Sequence, residues 1–188
     1  MSMFKIVPES YNNPDDVYRT LNYILTPGKC LYSGVQYLLP TNHPLALSNL
    51  FHYTKQYYGK SNYKQVEHFI LSIDSNCEEA DITMSHLIKC AEYILQFNLA
   101  EYQTVYAVHR NSAGLHVHFI LNTVNLFSGE MFRLNKSNFY SFMYAIAETL
   151  SMHHVALEGY TYYDERGRLR KGKSPEGFLY MNKIPQYI

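Results

Sequence analysis

The sequence predicts an α+β fold in which helices pack on one face of a mainly antiparallel sheet. Helix start and stop signals alternate along the chain with short apolar runs typical of strands. Two such runs, residues 102–109 and 115–125, flank a short polar loop and predict an antiparallel hairpin. At 188 residues and 47% apolar content, the chain suits one core domain, residues 1–155, with a basic hairpin and tail at 156–188.

The first predicted helix runs from Asn13 to about Leu25. Asn13 is an N-cap candidate, Pro14 suits the first helical position, and two acids follow in the first turn. The sequence Thr-Pro-Gly at 26–28 then ends the helix. Tyr23 is therefore expected at a helix end, beside a loop that contains Lys29.

Three further helices are predicted, at Pro44–Tyr58, from Glu78 to about Asn98, and from about Ser137 to Ser151. Periodicity predicts a buried face for the first of these three, made up of Leu45, Leu47, Leu50, Phe51 and Tyr57.

Two more strands are predicted outside the hairpin. Residues 64–73 read as a strand that becomes fully buried and ends at Ser72, and a short strand is expected near 131–134. After Gly159, strand-like pieces around a turn predict the basic hairpin, followed by a hydrophobic tail.

Composition favours a cytoplasmic protein without membrane insertion. No apolar run approaches the roughly 20 residues of a membrane span, and the first residues lack the pattern of a secretory signal. Cys30, Cys77 and Cys90 lie far apart, which argues against a disulfide framework or a thiolate zinc site.

The formal net charge is zero, so the global charge does not predict binding to nucleic acid. Positive charge is nevertheless concentrated near the C-terminus. A solvated hairpin and a surface that contacts phosphates both explain this cluster. Its members are Arg166, Arg168, Arg170, Lys171 and Lys173.

Three histidines converge on one face of the predicted hairpin. Side chains alternate along a strand, so His116 and His118 point to the same side. The hairpin brings His109 opposite His116, at a Cβ separation of roughly 4.5 to 5.5 Å. Buried imidazoles need partners, and a divalent cation would take one nitrogen from each ring.

The residues alone leave other interpretations open. Two histidines at alternate strand positions also occur on solvated faces, and three histidines suit a hydrolytic zinc site with one open position. Against zinc hydrolysis, no acidic residue lies near the triad in the sequence as an obvious general base.

Three segments together resemble the motifs of the relaxases, the mobilisation nucleases within the HUH endonucleases. YAVHRNSAGLHVHFILNTVN is similar to the third motif, NYILTPGK to the first and HFILSI to the second. They occur in the family's order and span residues 22–125, and the flanking helices extend the resemblance to about residue 155. It implies a ferredoxin- or RRM-like HUH fold for the catalytic domain.

The resemblance assigns roles residue by residue. Tyr23 corresponds to the nucleophile, and His109, His116 and His118 correspond to the metal ligands. Ser72 and Lys29 correspond to positions that contact DNA, and Asn111 and Asn122 to positions that support the site. Relatives commonly have aspartate where this chain has Asn111, so a carboxylate that would orient His109 is missing. Tyr18 is the nearest rival nucleophile.

The activity that the resemblance implies is nicking and rejoining of one DNA strand at a plasmid or transposon transfer origin. The intermediate would be a 5′-phosphotyrosine, and the cofactor a divalent cation, Mn²⁺ or Mg²⁺ first, with Zn²⁺ or Ni²⁺ as substitutes in vitro. The expected partners are single-stranded DNA and accessory and coupling proteins, in a bacterial cytoplasm.

Two alternatives remain open from the sequence. A replication initiator or transposase of the HUH type shares the chemistry but normally orders its motifs differently, and a noncatalytic metal-containing module would only bind single-stranded DNA. The chain is expected to be either a minimal mobilisation protein or an excised N-terminal domain.

Overall fold

The computed structural model describes residues 2–73, 84–112 and 114–173, and this part of the chain forms four helices and seven strands. In chain order the elements are β1 (Met3–Ile6), α1 (Asp15–Ile24), β2 (Cys30–Gln36), α2 (Pro44–Tyr57), β3 (Val66–Ser72), α3 (Met84–Asn98), β4 (Tyr102–Asn111), β5 (Gly114–Asn125), α4 (Lys136–Ser151), β6 (Gly159–Tyr163) and β7 (Leu169–Lys173).

The seven strands form one sheet in the order β2-β4-β5-β3-β1-β6-β7. All neighbours are antiparallel except β1 and β6, which run parallel. The predicted α+β class with a mainly antiparallel sheet is therefore confirmed. The basic hairpin, β6 and β7, extends this sheet through β1, and the predicted boundary between residues 155 and 156 remains a prediction.

Helices cover both faces of the sheet, so the expectation of helices on one face was wrong. On one face, α3 and α4 pack against Phe69, Val117 and Phe119. On the other face, α1 and α2 pack against Val105 and Ile120. The physical reason lies in β3 and β5, whose consecutive buried residues present apolar side chains to both sides.

Helix α2 follows the predicted bounds to within one residue, but its buried face is narrower than predicted. Leu47 and Phe51 are fully buried, and burial of each side chain stabilises the fold by roughly 1.5–3 kcal/mol. Leu50 is half-buried, whereas Leu45 and Tyr57 are 52% and 75% exposed. At about 100° per residue, both exposed positions lie well outside the stripe through Leu47 and Phe51.

Among the described helices, none combines the length and apolar character needed to cross a membrane.

Several local expectations were incomplete. Strands β1 and β2 were not predicted, and the strand expected at 131–134 is only an isolated bridge between Val124 and Met131. The predicted start of the third helix at Glu78, Cys77 and the hydrophobic tail after residue 173 lie outside the described residues.

A lysine is fully buried between α2 and the sheet. The Nζ of Lys55 donates to the Lys64 carbonyl at 3.0 Å and to the Thr123 hydroxyl at 2.8 Å. Burial lowers the pKa of Lys55 to about 7. Between that value and the unfolded value of about 10.4, the unfolded chain binds the proton and the folded chain does not, so stability contributed through Lys55 rises with pH.

We therefore expect the free energy of unfolding of the wild type, relative to Lys55→Met, to increase by about 1.4 kcal/mol from pH 8 to pH 9. Urea unfolding of both proteins at the two pH values measures the difference. Replacing the exposed Lys89 by Met serves as the control, for which no such increase is expected. Equal pH dependence in wild type and Lys55→Met would contradict the assignment.

Candidate metal centre and active site

The three predicted ligands converge as the hairpin geometry requires. His109 on β4 lies directly opposite His116 on β5, and His118 follows two residues later on the same face. One ring nitrogen from each histidine lies within 4.8 Å of the corresponding nitrogens of the other two. Because they are held by two paired strands, the rings share one small volume beneath α1.

A backbone hydrogen bond orients the first ring. His109 is 5% exposed, and its Nε2 donates to the carbonyl oxygen of Ile24 at 2.7 Å, at the C-terminal end of α1. A carbonyl can only accept, so Nε2 carries a proton. In the tautomer that this bond selects, Nδ1 is the nitrogen with a lone pair to offer as a ligand atom.

The second ring leaves a nitrogen without a partner. His118 is 3% exposed, its Nδ1 lies 2.8 Å from Nε2 of His68, and its own Nε2 has no hydrogen-bond partner among the described residues. Burial, followed by the charges of the neighbouring histidines, lowers the pKa of His118 to about 2. A neutral imidazole with a buried, unpartnered nitrogen has the donor chemistry of a metal ligand.

His116 is half-buried and completes the set. Its ring hydrogen bonds to the Gly114 backbone, and burial is the main cause that lowers its pKa. Each of the three rings thus has one nitrogen with a hydrogen-bond partner and another available for a cation. The arrangement fits a divalent ion with three imidazole ligands and open positions.

Tyr23 stands beside this triad. It lies in the last turn of α1 and is 49% exposed, and its ring centroid lies 5.7 Å from that of His118 and 6.2 Å from that of His109. The ammonium of Lys29 is 5.8 Å from the centre of the Tyr23 ring. Gly28, with φ of 84°, provides the turn that carries Lys29 there.

Tyr18 is separated from the triad by the geometry of α1. Five residues at about 100° each place it roughly 140° around the helix from Tyr23. Within the described part of the chain, the tyrosine ring packed against His109 and His118 is that of Tyr23. The rival nucleophile is thus on a different side of the helix.

The remaining predicted residues divide into near and distant groups. Ser72 pairs with His116 across β3 and β5, so it shares the face of the triad. Asn111 is exposed at the hairpin tip, opposite Gly114. Asn122 lies further along β5, where its amide donates to the Phe51 carbonyl and to Gln103, so its contacts join α2 to the sheet.

The five cations of the basic hairpin do not act as one group. Arg168 and Arg170 each pair with Asp164, at 3.1 and 2.9 Å, and Arg166 lies in the connecting turn.

Lys171, by contrast, lines an open cavity of about 570 Å³ that is also lined by Tyr23 and His118. Lys173 is the last residue of β7.

Sequence reasoning missed Lys5, which lines the same cavity. Burial and the nearby charge of Lys171 lower the pKa of Lys5. No sequence pattern pointed to Lys5, because β1, the strand on which it lies, was not predicted. Two lysines therefore bring positive charge to the wall of the cavity next to Tyr23.

His68 and Tyr11 were also missed. His68 is 5% exposed on β3, and burial is the main cause that lowers its pKa to about 4. Its Nδ1 lies 3.1 Å from the Tyr11 hydroxyl, on the side away from His118. Alternation along the predicted strand was the available sequence signal for His68, because it places His68 on the same face as Ile70 and Ser72.

Comparison with known proteins gives two kinds of similarity. Two crystal structures of the MobM relaxase domain (MOBV; Mob_Pre), Mn-bound and bound to oriT DNA of plasmid pMV158, at pH 5.5 and pH 6.8, share the fold with TM-scores of 0.54 and 0.56. Each is 10% identical in sequence, and the matches cover 95% of this chain and 98% and 97% of the MobM chains. Curated protein sequences give no significant match.

The family model "Relaxase: MobA/VirD2-like, nuclease domain" matches residues 23–155, from the tyrosine at the end of α1 to just beyond α4. This range includes the histidine triad and most of the sheet, and it covers more than half of the chain. The chain belongs to the relaxase family, as a nuclease domain of the MobA/VirD2-like type.

Proposed function

We propose that this relaxase domain nicks and rejoins one DNA strand at a plasmid or transposon transfer origin, with Tyr23 as its nucleophile. The observation that carries the proposal is the Tyr23 ring standing 5.7 Å from that of His118, at the rim of a three-histidine cluster. A half-exposed phenol beside a buried ligand set is accessible to a DNA phosphate from solvent.

His109, His116 and His118 are the proposed ligands of a divalent cation, Mn²⁺ or Mg²⁺ first, with Zn²⁺ and Ni²⁺ as substitutes in vitro. The Mn-bound state of the MobM structures supports this choice. When bound, the cation would polarise nonbridging phosphate oxygens and stabilise the charge that develops at phosphorus. The strands hold the three rings in place before DNA arrives.

In the proposed reaction the Tyr23 oxygen bonds to phosphorus and the bond from phosphorus to the 3′ oxygen breaks. The Tyr23 phenol gives up its proton and the leaving 3′ oxygen takes one up, so the products are a 5′-phosphotyrosine and a 3′-hydroxyl. Attack of a 3′-hydroxyl on the phosphotyrosine reverses these changes, so joining needs no nucleotide cofactor. We assign to Lys29 contact with a phosphate oxygen, because its ammonium lies near the Tyr23 ring.

The proposed path of single-stranded DNA crosses the cavity beside Tyr23, past Lys5, Lys171 and the Ser72 end of β3. The oriT DNA bound to MobM, which shares the fold, supports this kind of ligand. Arg168 and Arg170 face Asp164, so within the hairpin the proposal relies on Lys171 for phosphate contact.

We place this activity in the bacterial cytoplasm, together with accessory DNA-binding and coupling proteins. Among the described residues Cys30 and Cys90 are unpaired thiols, as expected in a reducing compartment. In a transfer reaction the nicked strand also has to be delivered to the next step, and the accessory and coupling proteins would perform this task.

Tyr23→Phe should abolish the covalent adduct with a labelled single-stranded oligonucleotide carrying the transfer origin, because the attacking oxygen is gone. Denaturing electrophoresis with Mn²⁺ present measures the adduct. The matched control is Tyr18→Phe on the same helix, which should form adduct at the wild-type rate. An adduct with Tyr23→Phe would refute the nucleophile, and no wild-type adduct would favour the noncatalytic DNA-binding module.

The double variant His116→Ala, His118→Ala should lose Mn²⁺ binding, because two of three imidazole ligands are removed. Isothermal titration calorimetry with Mn²⁺ alone measures this. His43→Ala is the control, since His43 is exposed and its side chain makes no capping bond at α2. Binding retained by the double variant would remove the triad as ligands.

Lys171→Gln should weaken binding of single-stranded DNA and make the negative slope of log affinity against log salt shallower by about 0.7, the value for one phosphate contact. Fluorescence anisotropy from 50 to 200 mM salt measures both. Arg168→Gln is the matched control on the same hairpin and should leave the slope unchanged. Equal slopes for wild type and Lys171→Gln would exclude Lys171 from the DNA path.

A further inference from the structure

A row of hydrogen-bonding groups stands behind His118, on the side away from the triad. His118 Nδ1 lies 2.8 Å from His68 Nε2, and His68 Nδ1 lies 3.1 Å from the Tyr11 hydroxyl. The Tyr11 hydroxyl in turn hydrogen bonds to the side chain of Glu9. His118, His68 and Tyr11 are each at most 8% exposed, although all three also line the open cavity beside Tyr23.

The direction of each hydrogen bond follows from the ligand role of His118. If Nε2 of His118 keeps its lone pair for a cation, the single proton of the neutral ring is on Nδ1. This proton is donated to Nε2 of His68, which must then carry its own proton on Nδ1. That proton is donated to the Tyr11 oxygen, and the Tyr11 hydroxyl donates to the Glu9 carboxylate.

The backbone fixes both supporting residues. His68 lies in the middle of β3, paired with Ile120 of β5, and this register brings its ring beside His118. Tyr11 adopts a left-handed conformation with φ of 43°, which is unfavourable for a residue with a side chain, and its carbonyl accepts from Gln65 N at 2.7 Å. A strained, buried and tethered tyrosine holds its hydroxyl in a defined place.

We propose that His68 is a positioning residue of the metal centre, which with Tyr11 locks His118 in the Nδ1–H tautomer and aims Nε2 at the cation. This inference rests on the proposed function only in taking the triad as the ligand set. It assigns a role to a histidine that is not one of the three proposed ligands. Removing such a support typically weakens metal binding by about 10- to 100-fold.

Mn²⁺ titration of His68→Leu and His68→Gln tests the proposal. Leucine removes the acceptor, and we expect the dissociation constant to rise by about 10- to 100-fold. The amide of glutamine can accept from His118 and donate to Tyr11, so His68→Gln should recover most of the affinity. The control is His52→Leu, a half-buried histidine of α2, which should bind Mn²⁺ like the wild type.

A second measurement needs no variant and no metal. Two-bond ¹H–¹⁵N correlation of the metal-free wild type reports which ring nitrogen of His118 carries the proton, and we expect Nδ1. Observation of the Nε2–H tautomer would overturn the proposal, even if His68→Leu fails to fold.

The outcomes separate this inference from the broader one. Wild-type affinity in folded His68→Leu, with Mn²⁺ binding lost in His116→Ala, His118→Ala, defeats the role of His68 and leaves the triad standing. Unchanged Mn²⁺ affinity in both His68→Leu and the double variant defeats the triad itself as the ligand set. Loss in His68→Leu that His68→Gln does not recover would also overturn the proposal, because a hydrogen-bonding role predicts recovery.

Discussion

The hydrogen bond from His109 to the Ile24 carbonyl is the contact on which the site depends. The last carbonyls of an α-helix have no partner within the helix, and this one is satisfied by a side chain 85 positions further along the chain. The same bond fixes the tautomer of His109 and anchors the residue next to Tyr23. One hydrogen bond thereby selects the nitrogen of His109 that can bind a cation and fixes the position of the Tyr23 phenol relative to the triad.

Burial on both faces of the sheet gives the histidines their chemical character. With α1 and α2 above and α3 and α4 below, β5 lies in an apolar interior where a charged ring is disfavoured. This is why the pKa of His118 falls to about 2. A ring held neutral keeps a lone pair, so the core that excludes water also prepares a ligand.

Local patterns predicted what depends on neighbouring residues. The short loop and strand alternation were enough to place His109 opposite His116, and capping signals placed Tyr23 at the end of α1. Strands β1 and β2 escaped because β1 has four residues and β2 is an edge strand with a mixed burial pattern. Alternation along β3 could have placed His68 on the face of Ser72, but its contacts with His118 and Tyr11 join residues 50 and 57 positions apart, which no local pattern encodes.

The position of a charge on a strand matters here more than the total charge. Arg170 and Lys171 are adjacent on β7, and strand alternation sends one to Asp164 and the other to the cavity beside Tyr23. A chain with zero formal net charge can therefore still present lysines where a phosphate would arrive. Because screening at physiological salt acts over about 8 Å, such nearby cations affect DNA binding more than distant ones. Charge counting cannot reveal this, whereas strand register does.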